Sequence, residues 1–226
     1  MKCLYQIADY DVHVFKMSVI DSNMYMLIDK KQALVIDPCI SEEAESILLS
    51  NNTQFCTILL THEHYDHVSG VNRLRELCQC EVICSEICAK NICNCLKNGA
   101  KTFGALFLGH SKEEQKGIDK LWDPYYICSA DKMYKDKYSF TIFDGALQIE
   151  MQEAPGHSQG SQIIKINDKF IFTGDSLIPK IETITRLPGG SRKIYEEKTL
   201  PIIKALDGNN IIFPGHGLVC TMQDVL

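Results

Sequence analysis

Thr61-His62-Glu63-His64-Tyr65-Asp66-His67-Val68-Ser69-Gly70 is the stretch whose reading settles the architecture. It follows Cys56-Thr57-Ile58-Leu59-Leu60, an apolar run of the kind that forms a buried strand. Val71, Leu74 and Leu77 come after it at helical spacing. A strand that passes through a His-rich loop into a helix is a piece of an α/β architecture. In extended backbone, residues i and i+2 point the same way, so His62 and His64 are placed to close on one ion. Asp66 and His67 come after a turn and can face a second ion. Glu63 and Tyr65 point away, into packing or support. Imidazole and carboxylate suit zinc, and also iron or manganese.

Three more ligand-type residues each end an apolar strand. His157 follows Ala154-Pro155-Gly156, Asp175 follows Phe170-Ile171-Phe172-Thr173-Gly174, and His216 follows Ile211-Ile212-Phe213-Pro214-Gly215. In each case glycine lets the backbone turn sharply. Sites in open α/β sheets lie at the carboxyl ends of strands. Five of the chain's 7 histidines thus fall on strand-end loops.

The rest of the chain supports the same class. Val12 to Val19, Met24 to Ile28 and Gln32 to Asp37 read as strands, and Ser41 reads as the N-cap of a helix with Glu42, Glu43 and Glu45 in its first turn. Strands resume after the turn Asp144-Gly145, and Asn167-Asp168 joins two of them. Residues 192 to 206 read as a helix, and Asn210 to Phe213 as a last strand. Residues 88 to 137 lack sustained periodicity, and Lys132 to Lys137 reads as a solvated turn. The 226 residues carry 23 basic and 29 acidic groups, a net −6 that argues against a nucleic-acid surface. No stretch of 18 apolar residues is present, so no membrane span is expected. The first nine residues lack a signal peptide's apolar segment, and the 11 cysteines are odd in number and unevenly spread. A cytoplasmic setting is expected.

The quoted loop, with Pro155-Gly156-His157-Ser158-Gln159-Gly160-Ser161, Thr173-Gly174-Asp175-Ser176-Leu177 and Phe213-Pro214-Gly215-His216-Gly217, resembles the metallo-β-lactamase-fold hydrolases, most closely their glyoxalase II-like, single-domain branch. Val35-Ile36-Asp37-Pro38 fits as well, with Cys39 where the family usually has glycine. The resemblance spans about residues 12 to 217. It implies one domain over 1–226, a four-layer αββα sandwich of the α/β class, with residues of about 96–137 as a pocket-flanking insertion. It implies two divalent metal ions, zinc first with iron or manganese as alternatives. His62, His64 and His157 would hold one, Asp66, His67 and His216 the other, with Asp175 bridging. Asp66 would also act catalytically, orienting the attacking hydroxide and carrying its proton. The implied partner is a small acyl substrate such as a thioester, with no nucleic acid, no membrane and no particular oligomeric state.

Arg186-Leu187-Pro188-Gly189-Gly190-Ser191 also resembles glyoxalase II-like proteins. The chain runs only ten residues past His216, so the basic helical domain that grips glutathione in two-domain enzymes is not expected. Arg186, Tyr125, Tyr126 and His110 are candidates for substrate contact. Trp122 belongs to the core of the insertion, and Met17, Met24 and Met26 to strand core. Alternative chemistries in this fold are a lactonase or β-lactamase and a mononuclear-iron persulfide dioxygenase. The flavodiiron type is disfavoured, since it places Glu where this chain has His64. Cys78, Cys80, Cys84, Cys88, Cys93 and Cys95 contain no C-x₂-C spacing. They read as small packing residues, with a soft-metal site or redox regulation as alternatives.

Overall fold

The protein is described by a computed structural model that covers residues 5–109, 118 and 121–225. Its first sheet has the spatial order β1 (Tyr5–Ile7), β2 (Tyr10–Lys16), β3 (Asn23–Asp29), β4 (Gln32–Ile36), β5 (Phe55–Leu59), β6 (Gln79–Ser85), β7 (Lys132–Tyr134). It is antiparallel from β1 to β4 and parallel from β4 to β7. The second sheet runs from β8 (Lys137–Ile142) through β9 (Leu147–Glu153), β10 (Gln162–Ile166), β11 (Phe170–Gly174) and β12 (Ile211–Pro214) to β13 (Cys220–Thr221). Helices α1 (Glu42–Ser50), α2 (Tyr65–Val68), α3 (Val71–Leu77) and α4 (Glu86–Ile92) follow β4, β5 and β6, and α5 occupies 192–204.

Three apolar clusters separate four layers. Between the sheets lie Tyr25, Leu27, Leu34, Ile36, Ile149, Ile164, Phe172 and Phe213, all buried. Val35, Cys56, Ile58 and Val82 on the other face of the first sheet meet Ala44 and Leu48 of α1, Val71 and Leu74 of α3, and Cys88 of α4. Ile163, Ile171 and Ile212 on the outer face of the second sheet meet Tyr195 and Ile203 of α5. Alternation along the strands produces this: Leu34 and Ile36 face one cluster while Ala33 and Val35 face the other. The result is the αββα sandwich that the resemblance implied.

Turn chemistry matches the reading closely. Ser41 Oγ accepts the Ala44 N–H at 3.3 Å and caps α1. Asn167 and Asp168, at φ +50° and +53°, are the left-handed central pair of a tight turn closed by Lys169 N–H to Ile166 O at 3.3 Å. The segment 132–137 departs from expectation. Lys132–Tyr134 is a strand parallel to β6, and Lys137 opens β8. One residue anchors it: Tyr134 is buried and its hydroxyl donates to Gln162 Oε1, while Lys132 and Met133 are exposed. A three-residue edge strand with outward lysine gives no periodic signal, and such lysines protect an edge from pairing with other chains.

Strand direction brings the ligand loops together. β4 and β5 are parallel, so Asp37 and the loop 60–67 leave the first sheet on one side. β9, β10 and β11 alternate in direction and β12 is parallel to β11. β9, β11 and β12 therefore point the same way and release His157, Asp175 and His216 on one edge. Cross-sheet bonds close that edge. Gln162 N donates to Thr61 O at 2.8 Å, Asn23 N to Gly215 O at 2.7 Å, and Tyr25 Oη to Pro214 O at 2.6 Å.

Phe172 stacks on Phe213 at 4.6 Å between the sheets. Phe172→Ala is expected to lower unfolding free energy by about 3–5 kcal/mol. Denaturant melts of both proteins read this directly.

Candidate metal centre

Glycines set the ligand loops as the sequence suggested, in two different ways. Gly156 and Gly174 have φ of +143° and +49°, which L side chains rarely adopt. Gly215 has ordinary φ but no room, because a Cβ there would strike Asp175 Oδ1. Asp66 and His67 sit on α2, a single helical turn.

His62 Nε2 and His157 Nε2 each lie 3.1 Å from His64 Nδ1, so three nitrogens from two sheets face one point. Asp66 Oδ2 is 3.3 Å from His67 Nε2 and 3.4 Å from His216 Nε2. Asp175 stands between the two groups. Its Oδ1 is 3.5 Å from His67 Nε2, and its Oδ2 is 3.6 Å from His157 Nε2 and 3.5 Å from His216 Nε2. The seven residues named from the sequence are thus gathered at one edge.

The outer nitrogen of four imidazoles is already committed. His157 Nδ1 donates to Ile184 O at 2.8 Å and His216 Nδ1 to Ile20 O at 3.1 Å. His67 Nδ1 donates to Asp37 Oδ2 at 3.0 Å. Thr61 Oγ1 gives its proton to Asp37 Oδ2 at 2.5 Å and so accepts from His62 Nδ1 at 3.1 Å. Each bond occupies Nδ1 and turns Nε2 inward, towards the other ligand-type groups. His64 is the exception, presenting Nδ1.

Asp37 is the functional residue whose role the sequence left unread. Buried and at φ +53°, it also accepts the Thr61 N–H at 2.6 Å. It lies close enough to His62 and His67 to make a third group of possible ligands, but its oxygens are occupied by donors, which places it to orient the candidate ligands. Glu63 does point away from the ligands. It is buried, and accepts from Asn91 Nδ2 and Ser158 Oγ, both at 2.7 Å, which ties α4 and the His157 loop together.

Burial pushes His62, His64 and His157 down, the last to about 4. Burial acts the same way on His67 and His216, but the carboxylates outweigh it. Asp66, Asp175 and Asp37 raise His67 well above the ordinary imidazole value, and Asp66 and Asp175 raise His216. Burial works to raise Asp66, and His67 and His216 nevertheless hold it well below the usual carboxylate range.

The residues fit a pair of divalent cations. His67 Nε2 and Asp175 Oδ1 are buried without a hydrogen-bond partner, a costly arrangement that a cation between them would relieve. The donors are nitrogen and oxygen, in groups of three whose atoms lie within 4.8 Å of one another. Among the described residues, no such group contains a cysteine.

The substrate candidates are scattered. Arg186 is exposed and makes no hydrogen bond or ion pair among the described residues, two residues beyond the Ile184 that holds His157. Tyr125 is exposed, under the Lys101 ammonium. Tyr126 is not brought to the cluster: it is buried, and its hydroxyl donates to Val68 O at 2.7 Å. Trp122 packs inside the segment, donating to Ala100 O. His110 lies outside the described residues.

Two outcomes are expected. Asp37→Ala should weaken metal binding about 10–100-fold, read by competition with a chromogenic chelator. A cation taken up by Asp66, His67 and His216 must displace protons that the carboxylates hold there, whereas the other group is already neutral. Titrating from about pH 8 to about pH 6 should therefore remove one metal per chain before the other. Metal content after dialysis at each pH checks this.

The family model for the metallo-beta-lactamase superfamily matches residues 18–216. A hydroxyacylglutathione hydrolase of Pelagibacter ubique is 26% identical over 207 residues, which is 87% of this chain and 66% of that one. The crystal structure of the BLEG-1 B3 metallo-beta-lactamase superposes with a TM-score of 0.77 at 24% identity, covering 94% of this chain and 95% of that one. That of ETHE1 from Myxococcus xanthus gives 0.66 at 18% identity, covering 94% and 80%. These two likenesses show the fold. With its two sheets, its seven converging ligand-type side chains and a match over most of its length, this chain belongs to the metallo-beta-lactamase superfamily, whose members are in general metal-dependent hydrolases.

Proposed function

We propose that the protein is a dinuclear hydrolase that cleaves a small acyl thioester or related ester. The observation that carries this reading is Asp175, which stands between the two groups of ligands, within 3.6 Å of His157 Nε2 in one and within 3.5 Å of His67 Nε2 and His216 Nε2 in the other. When bound, a pair of divalent cations, with zinc the first choice, supplies Lewis acidity that lowers the pKa of water and offsets charge growing on a carbonyl oxygen.

The chain's own residues supply the rest. Asp66 is an acceptor-only carboxylate at the centre of the cluster. It orients the attacking water by accepting its hydrogen, takes up its proton as the carbonyl is attacked, and can return it to the leaving group. Asp37 and Thr61 keep His67 and His62 from rotating. A thiolate is a good leaving group, so a thioester needs no further acid. Arg186, exposed near the His157 loop and without an ion pair among the described residues, is a candidate anchor for an acidic group on the substrate. The likeness to the hydroxyacylglutathione hydrolase supports the thioester reading.

The test is turnover by metal-loaded protein against thioesters (S-lactoylglutathione among them), lactones and β-lactams, with metal content measured on the same sample. Two zincs per chain and thioester cleavage are expected. Asp66→Asn should lose about 10²–10⁴-fold in kcat/KM. One iron per chain with oxygen uptake would move the assignment to persulfide dioxygenase chemistry, and no acyl turnover would remove the hydrolase reading.

A further inference from the structure

Far from the metal centre, three thiols meet at the opposite end of the first sheet. Cys56 lies near the start of β5 and Cys80 near the start of β6, and they are partners in register. Cys78 immediately precedes β6. Its Sγ is 3.9 Å from that of Cys80, and Cys56 lies near enough for S–H contacts with both. His62 is six residues further along from Cys56, about 20 Å at strand rise. Cys56 is buried, whereas Cys78 and Cys80 are only partly so and open to a small solute.

We propose that Cys78 and Cys80, supported by Cys56, form a peroxide-reactive dithiol that closes to an intramolecular disulfide. The Cys78 thiolate attacks one oxygen of hydrogen peroxide, forming an S–O bond as the O–O bond breaks and hydroxide leaves. The Cys80 sulfur then attacks Cys78, displacing the sulfenic oxygen as a second hydroxide. The two thiol protons convert both to water, and the two electrons lost by the thiols are those gained by the peroxide.

Geometry favours Cys78 as the attacking group. Its sulfur lies 3.9 Å from that of Cys80 with Cys56 nearby, and S–H donation from Cys56 and Cys80 would hold its thiol below the usual value. Cys78 and Cys80, with burial added, keep the Cys56 thiol high, so that it remains a donor. The Arg75 guanidinium, paired through Nη2 with Asp131 at 2.5 Å and with its Nε buried without a partner, also lies near Cys80. Residues i and i+2 of a strand are about 6.6 Å apart, within the Cα range a disulfide spans. The chain contains its own control. Cys93 and Cys95 have the same spacing and Cys93 is more exposed, but its sulfur bonds the carbonyls of Ala89 and Cys128 at 3.3 Å and, among the described residues, has no second sulfur beside it as Cys78 has in Cys80.

The experiment treats zinc-loaded protein with limiting hydrogen peroxide, quenches by alkylation, and maps each cysteine by mass spectrometry with fragmentation. Cys78 and Cys80 should be lost to alkylation together, two hydrogens lighter, on the order of tenfold faster than Cys93. Dithiothreitol should restore them. Cys80→Ser should stop at a sulfenic acid on Cys78, trapped by dimedone, and Cys56→Ser should slow the first step. Oxidation that follows exposure, with Cys93 first, overturns the proposal. So does Cys78 passing to sulfinic acid without a bridge, or no reaction at either residue. None of these readouts depends on hydrolase activity.

Discussion

Everything at the ligand edge depends on the commitment of the outer N–H of four of its five imidazoles before any ion is considered. Five imidazoles and two carboxylates brought this close would otherwise rotate or pair among themselves. Backbone carbonyls of Ile20 and Ile184, the Thr61 hydroxyl and the Asp37 carboxylate each take one N–H and so choose a tautomer. Asp37 matters most, since two histidines from one loop lean on it directly or through Thr61. An Asp in the left-handed region is tolerable because its short side chain can bond locally. Here that unusual backbone is what turns the carboxylate back under the loop.

The two ligand groups nevertheless differ electrically. Three histidines alone, shielded from water, stay neutral. The group containing Asp66 and bordered by Asp175 has enough negative charge to keep protons on His67 and His216. The centre is thus asymmetric in its own amino acids, with one end ready for a cation and the other requiring proton loss.

Legibility in the sequence followed the range of the interaction involved. The seven candidate ligands could be read because each depends on local signals: spacing within one loop, or a glycine at the end of an apolar strand. Glu63 facing away followed from the period of an extended chain. The part of Asp37 was hidden because its partners lie 24 and 30 residues away. Nothing local shows that Tyr126 spends its hydroxyl on Val68 while Tyr125 stays outside. Strand β7 was missed because a single tyrosine among lysines carries its burial. That His64 offers Nδ1 is a matter of rotamer and backbone, which residue identity does not encode.

Helix α5 holds one last consequence. Its middle turn, Tyr195–Thr199, is wound as a π turn, and Tyr195 lies against Gly156, so close that a Cβ on the glycine would meet the tyrosine backbone at 2.5 Å. A π turn is an α-helix with one surplus residue. Trimming one position there would let the helix relax to regular winding and would rotate everything before it by about 100°. The loop bearing His157 therefore tolerates substitutions in α5 better than it tolerates a change in its length, and related chains that lack the surplus residue must support that loop by other means.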